Sequence, residues 1–415
     1  MYAYQLDAPV PEGSEETSMR KPLSVVVAGG GIGGLAAACV LGRQGHEVTV
    51  LEQSSAFGEI GAGIQLGPNI FRMFELLGLT EAIDKVAFFP PGLGMNDVRT
   101  GEKVVRVPLG DVAIAAYGYP YGVIYRVDIH NVFLDACKAL STVKLRTSAK
   151  VEGYTQDAQG VTVQLAGGET LRADALIGAD GLWSRVRQAV VGDGKPRVSG
   201  HIAYRAVLRR EDVPAHLWSD DVLLWGGEKT HLVHYPLRRG ELFNLVAVFH
   251  SNKYDEGWNT FGDTAELNER FAQAVPQVRE LLDKIETWKM WVLCDREPVR
   301  HWSDGRVTLL GDAAHPMLQY LAQGAGQAIE DAVVLGEALR HTGNDVAPAF
   351  QKYQKARYLR TGRVQLTARL YGDIYHAAGV ARELRNRLFQ SGEESAGFAG
   401  LSWMYKGIDL SKLFD

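Results

Sequence analysis

Cysteine is scarce in this chain: 3 in 415 residues, at Cys39, Cys137 and Cys294, with no C-x-x-C spacing. An odd, sparse count argues against a disulfide framework or a zinc ribbon, and suits buried thiols in a reducing cytoplasm. No run of about 18 apolar residues is present to span a bilayer. Residues 1–20 lack the basic start and apolar centre of a signal peptide. Their polar, acidic, Pro/Gly/Ser-containing composition reads as a flexible leader, with Met19 available as a start. Charge of one sign is also missing, since 44 Lys and Arg face 49 Asp and Glu for a net −5. That balance leaves no footprint for nucleic acid or an anionic membrane, and points to a small-molecule partner. No His, Cys and carboxylate cluster has metal-ligand spacing, so no metal is expected. At 46% hydrophobic residues, a chain this long builds two or three domains with substantial cores.

What the chain does have begins at Ser24. An apolar β-branched run to Ala28 enters the glycine cluster Gly29-Gly30-Gly31-Ile32-Gly33-Gly34, an Ala-rich helical pattern follows, and Val48-Thr49-Val50-Leu51 ends at Glu52. This reads as strand, tight turn, helix and parallel strand. Gly29 makes the turn, Gly31 lets backbone amides approach a pyrophosphate at the helix start, and Gly34 lets helix and strand pack closely. Glu52 falls where a carboxylate accepts hydrogen bonds from a ribose diol. An ordinary glycine turn competes with this reading of the G-x-G-x-x-G alone; the flanking strand, helix and acid favour an adenine dinucleotide.

Phe57 to Pro68 is a second glycine-rich stretch, containing Glu59, Ile60 and Gly63, with Pro68 in the first turn of a helix. It suits main chain lying against a flat ligand, or an ordinary connection. Residues 85–125 read as short strands and loops. Arg126 opens a helical pattern through Leu140, as a solvated first-turn residue or as a contact to a cofactor phosphate or ribityl chain. Val143 to Ala179 reads as a β-meander that delivers Asp180-Gly181 at a strand's carboxyl end, where open α/β sheets bind ligands. Residues 200–295 read as an inserted antiparallel sheet. Within it the period of two puts His231, Val233 and Tyr235 on one face and Leu232 and His234 on the other. His231 is read either as a pocket residue or as a hydrogen-bonded core histidine. Gly305 to Leu310 is a strand ending at Gly311-Asp312, and a loop from Gln319 leads to a helix over Ala325 to Arg340 whose start offers amides to an anionic ring. Beyond it, Gln351, Tyr353, Arg357 and Arg360 read as polar faces of a helical cap without identifiable chemistry.

Three motifs in order, Gly29-x-Gly31-x-x-Gly34 with Glu52, Asp180-Gly181, and Gly311-Asp312 with His315-Pro316, give a chain that resembles the class A flavoprotein aromatic hydroxylases, over roughly residues 22–345. The resemblance implies an α/β fold: a discontinuous Rossmann-like FAD-binding domain (21–90, 120–195, 296–345), an α+β insertion with an antiparallel substrate sheet (91–119, 196–295), and a C-terminal helical region (346–415). It implies FAD held by Gly29, Gly31, Ile32, Gly34, Glu52, Gln53, Gly63, Arg126, Asp180, Gly181, Asp312, Leu321, Ala322, Gln323 and Gly324. NADH, or NADPH, would bind transiently, since no second nucleotide fold is present.

A closer likeness, to 3-hydroxybenzoate 6-hydroxylases, rests on Thr230-His231-x-x-His234-Tyr235-Pro236-Leu237-Arg238, on Val292-x-x-x-Asp295-Arg296-Glu297-Pro298, and on His315 to Ala322. It carries over His231 and Gln319 as the residues handling the substrate hydroxyl, and Tyr235 and Tyr121 as substrate contacts. It departs at Gln53, where relatives often have a basic residue, and at Gln323 and Gln327 by the helix start, which bear on flavin or substrate placement. The implied reaction takes electrons from NADH and oxygen from dioxygen, through a flavin C4a-hydroperoxide, to convert 3-hydroxybenzoate to gentisate. Hydroxylation of salicylate, a hydroxynicotinate or another aromatic acid remains open, as do a flavin dehydrogenase or oxidase, a non-catalytic dinucleotide-binding regulator, and assembly as a homodimer.

Overall fold

The computed structural model describes residues 21–58, 61–253, 260–391 and 400–414, so the leader and the Glu59-Ile60 pair lie outside the described residues. The apolar run Ser24–Ala28 forms the centre of a 6-stranded sheet, because it is buried on both faces and pairs on both edges. Parallel neighbours are Glu47–Leu51 and then Val143–Arg146 on one side, Ala175–Gly178 and then Val307–Leu309 on the other. In register, Ala28 faces Leu51 and Gly178, and Gly178 faces Leu309. The loops after these strands therefore leave the same edge of the sheet side by side. The helices Ile32–Arg43 and Gly324–His341 pack on the sheet and on each other through Ala36, Ala37, Val40, Ala332, Val333 and Leu335.

The expected meander is shorter than Val143 to Ala179. Only Val151–Asp157, Gly160–Leu165 and Thr170–Ala173 form the antiparallel trio, and the flanking strands join the parallel sheet. Strand pattern alone does not name a strand's partner, which is why the two were merged. Gly63–Leu66, within the glycine-rich stretch, pairs antiparallel with the distant Gly122–Tyr125, and the helix Asp111–Tyr117 appears where short strands and loops are read.

Residues 197–295 supply most of an 8-stranded sheet, joined at its far edge by Gly92–Asp97 and Lys103–Pro108. It is antiparallel except where Val222–Gly227 meets Gly92–Asp97. One face carries Ile202, Tyr204, Leu232, Leu245, Ala247 and Phe249 and is covered by the short helices Thr264–Arg270 and Pro276–Asp283. The opposite face looks toward the loop after Pro316 and the helix Val346–Tyr375, whose 30 residues run about 45 Å. No helix among the described residues is long and apolar enough to cross a membrane. All three cysteines are free thiols, Cys39 and Cys137 buried and Cys294 half-buried.

Candidate active site

At the strand ends the glycines are sterically required. A Cβ on Gly29, which has φ +111°, would sit 2.3 Å from the Ala179 carbonyl oxygen; one on Gly34 would sit 2.0 Å from that of Gly29. Gly31 begins the helix Ile32–Arg43 without a side-chain cap, and the helices Arg126–Lys138 and Gly324–His341 also begin uncapped by side chains. Free first-turn amides at a helix start suit an anionic diphosphate or ring. Glu52 is fixed at the neighbouring strand end by the amides of Gly30 and Ser54, at 2.9 and 2.8 Å, with lone pairs left for a ribose diol. Asp312 is exposed, and its Oδ1 stands 3.8 Å from where a Gly324 Cβ would be. Leu321 is buried, and Ala322 holds the left-handed conformation, φ +52°, directly before the Gly324–His341 helix. This edge fits FAD: it offers uncapped amides, a ribose-directed carboxylate and backbone that tolerates no side chain.

The remaining residues expected at the cofactor have these places. Ile32 is buried in the core, leaving only its backbone to the cradle, while Gln53 is exposed beside Glu52. Asp180 turns its carboxylate to the next helix, accepting from the Ser184 hydroxyl and from the amides of Arg185 and Val186 at 2.7 and 3.3 Å. Burial pushes its carboxyl up while those hydrogen bonds pull it down. Gly181 is glycine for its φ of +75°. Gly63 is glycine because a Cβ would strike the Tyr235 ring at 2.6 Å, and its amide donates to Asn244 Oδ1 at 2.8 Å. Arg126 heads its helix with its amide bonded to the Ala62 carbonyl, and its charge acts on Arg205.

Gln323 and Gln327 point inward, not toward the cradle. Gln323 accepts from Asn69 at 3.2 Å and Gln327 at 3.0 Å, and Gln327 accepts from Arg357 at 2.8 Å. They belong to a buried ionic network beneath the helix start. Arg357 donates to Glu330 at 2.7 Å and Asp331 at 2.6 Å, Arg360 also reaches Glu330, and His315 and the Gly311 amide bond to Asp331. Burial would raise both carboxyls, but the arginines and His315 hold them at about 2. Arg357 and Tyr353, read as solvated, are fully buried. Asp295 and Arg296 serve a second network: Asp295 pairs with Arg197 and Arg369, Arg296 with Asp193.

The face of the 8-stranded sheet opposite the short helices follows the expected parity. His231 pairs with Val248, Val233 with Val246 and Tyr235 with Asn244, and the same rows cross to Ala203 and Arg205. Tyr121 donates to Gln65 Oε1 at 2.7 Å, and Gln65 also bonds the Tyr235 hydroxyl. Burial pushes both phenols up, so they stay protonated. Arg205 donates to the Gln319 side-chain oxygen and lies 5.2 Å from the Trp291 ring centroid; burial lowers it to about 10, still a cation at neutral pH. Arg205 and Gln65 were missed by sequence reasoning. The period of two groups Arg205 with His201 and Ala203 on its own strand, but only the cross-strand register through Val246 puts it on the face of Tyr235.

His231 is 2% exposed, with Nδ1 2.7 Å from His376 Nε2 and its ring 5.6 Å from that of Tyr320, the neighbour of Gln319. His376 in turn lies 3.0 Å from His250, and His201 bonds the Tyr320 hydroxyl. His231 is thus hydrogen-bonded and buried, and it shares the face of Tyr235. On the other face His234 accepts from Trp225 at 3.0 Å. Burial drives His231 down to about 3, helped by His201 and His250, and His234 to about 3; His376 falls further. An unfolded histidine takes up a proton near pH ~6.5 that these buried rings refuse, so their stabilisation is full above that pH and is lost as pH falls toward 3. At about 1.4 kcal/mol per group per pH unit, the denaturation midpoint is expected to fall steeply from pH ~6.5 to ~5. A midpoint unchanged across that range in denaturant titrations would contradict neutral burial.

Comparison with known proteins identifies the family. The family model described as FAD binding domain matches residues 22–364. A 3-hydroxybenzoate 6-hydroxylase of Polaromonas naphthalenivorans is 47% identical over 383 residues, 92% of this chain and 96% of that protein. One of Klebsiella oxytoca is 45% identical over 387 residues, 93% and 97%. Among solved structures, Klebsiella pneumoniae HpxO complexed with FAD and uric acid superposes with a TM-score of 0.84 at 27% identity, covering 95% of this chain and 99% of that one.

Proposed function

The chain belongs to the FAD-binding domain family, and from that premise we propose that it uses NADH and dioxygen to hydroxylate 3-hydroxybenzoate, giving gentisate, in the cytoplasm. Its relatives are aromatic hydroxylases along nearly their whole length, and the enzyme class of FAD-dependent aromatic monooxygenase follows. The observation that carries the substrate is the gathering on one side of the 8-stranded sheet of a half-buried cation, two buried phenols and a neutral imidazole: Arg205, Tyr235 and His231 share that sheet face, and Tyr121 is tied to Tyr235 through Gln65.

FAD, when bound, would supply the redox and oxygen chemistry, and the Gly29 to Gly34 turn, Glu52, Asp312 and the Gly324 helix start would hold it. The chain's own residues bind and polarise the ring. Arg205 and the Tyr235 hydroxyl meet the carboxylate of the acid, while Tyr121, its proton given to Gln65, contacts the acid through its ring and holds Gln65 against Tyr235. Gln319, its oxygen committed to Arg205, keeps its amide N–H groups for the phenol oxygen. His231 uses Nδ1 toward His376, leaving Nε2 to accept the phenol hydrogen bond and, as negative charge develops on the phenol oxygen beside it and raises its basicity, to take the proton. A phenolate pushes electron density to the carbon para to it, which in 3-hydroxybenzoate is the carbon hydroxylated in gentisate. Leu318, Tyr320 and Leu321 are buried and exclude water from the loop side.

The reaction class is tested with isotopically labelled dioxygen. One labelled oxygen is expected in the ring of the product, per NADH oxidised, with the other in water. Product without label would indicate a dehydrogenase or oxidase.

A further inference from the structure

Behind His231 the fold gathers histidines that the proposed reaction does not use directly. His201 and His250 are directly opposite on neighbouring strands, their rings stacked 4.0 Å apart, and His376 caps the C-terminal end of the Val346–Tyr375 helix above them. Each offers a ring nitrogen, and the three nitrogens lie within 4.8 Å of one another. We propose that His201, His250 and His376 form a three-imidazole site for a borderline transition-metal ion of the Zn²⁺ type. No sequence spacing announces it, because the ligands come from two strands and a helix end.

The donor chemistry selects the ion. Three nitrogens and no carboxylate suit Zn²⁺, Ni²⁺ or Cu²⁺ and do not suit Mg²⁺ or Ca²⁺. Zinc–nitrogen bonds of about 2.0–2.1 Å in a tetrahedron place ligand nitrogens roughly 3.4 Å apart. His250 Nε2 and His376 Nδ1 stand 3.0 Å apart already, so the main adjustment is an inward shift of half-buried His201. A second feature is independent of spacing: ligands of metal sites are oriented by a hydrogen bond on their other ring nitrogen. His376 has that partner in His231, at 2.7 Å, and His201 has it in the Tyr320 hydroxyl. The rings are held neutral by burial, as metal ligation requires, with no proton to displace near pH 7. Facing His250 are Lys229 and Arg270, which oppose a cation, and Asp373, which favours one.

The site has a consequence for the pocket, and this part rests on the proposed function. Metal on Nδ1 of His376 leaves the proton of that ring on Nε2, where it donates to Nδ1 of His231. His231 then carries its own proton on Nε2, the nitrogen needed to accept the phenol proton. A loaded site therefore inhibits hydroxylation.

The test is equilibrium dialysis of the chelator-treated, flavin-loaded full chain against Zn²⁺, with X-ray absorption at the zinc edge. One zinc per chain with imidazole ligands is expected, and His250→Ala or His201→Ala should loosen it by about 100-fold or more. Flavin content reports whether each variant is folded; His250→Gln replaces His250→Ala if that one loses flavin. Failure to retain stoichiometric zinc, or zinc retained equally by folded variants of both histidines, overturns the site. These arms need no turnover, so they stand apart from the proposed reaction. Stoichiometric zinc that leaves turnover unchanged overturns the inhibitory coupling.

Discussion

His231→Ala is expected to retain bound FAD and to lower ring hydroxylation by about 10²–10⁴-fold, the usual worth of a positioned general base. The flavin edge is unaffected because His231 lies on the pocket face of the other sheet, hydrogen-bonded to His376 and not to any cradle residue. The loss should fall on kcat and kcat/KM together, since the proton is taken in the reacting complex while Arg205 and the tyrosines still bind the acid. His231→Gln keeps a polar side chain at the same place without a proton acceptor of comparable basicity, and should be nearly as inactive. Burial holds His231 at about 3 in the free protein, so lowering the pH from 7 to 5 does not protonate it. The kcat/KM profile should therefore show no acid limb near ~6.5 from this residue. Unchanged turnover in His231→Ala would return His231 to a purely structural role, and an acid limb at that pH that vanishes in the variant would contradict its neutral burial.

Arg357→Ala should cost about 3–5 kcal/mol of stability, because it strands buried carboxylates without their cation. Arg357 is completely buried between Glu330 and Asp331, themselves completely buried. Arg360 continues to pair with Glu330 in the variant, but Asp331 is left with His315 and the Gly311 amide. Gly311 heads the loop that carries Asp312, and Glu330 and Asp331 sit on the helix whose start faces the cradle. The first visible effect should be flavin release at lower denaturant than in the parent chain. Arg357→Met combined with Asp331→Asn removes the stranded charge while leaving Glu330 to Arg360, and should recover part of the loss. Flavin release at the parental denaturant concentration in Arg357→Ala would show that the network does not support the cradle.

Legibility followed the range of the interactions. The Gly29 to Glu52 unit was readable because its determinants are local: a glycine with positive φ, a tight helix–strand contact and a strand ending in an acid fall within one stretch of chain. The parity of His231 and Tyr235 was readable because alternation is a property of any strand. Asp180 was placed correctly at a strand end, yet what its carboxylate bonds depends on Ser184 and the following turn, and it caps a helix. Gln323 and Gln327 read from the sequence as residues at the helix entrance that bear on flavin or substrate placement; Asn69 and Arg357, far away in sequence, hold their side chains in the buried network. The last helices looked featureless since Arg357 and Arg360 pattern like solvated arginines. Their buried partners, and the arrival of Tyr375 and His376 at the pocket, exist only once that long helix is laid across both sheets.

The most direct measurement is NADH oxidation by the purified yellow protein in the presence of 3-hydroxybenzoate, with chromatographic identification of the product. The account predicts strong stimulation by the substrate and one gentisate formed per NADH oxidised. Oxidation that yields only hydrogen peroxide, or a product hydroxylated at any carbon other than the one para to the phenol, would contradict it.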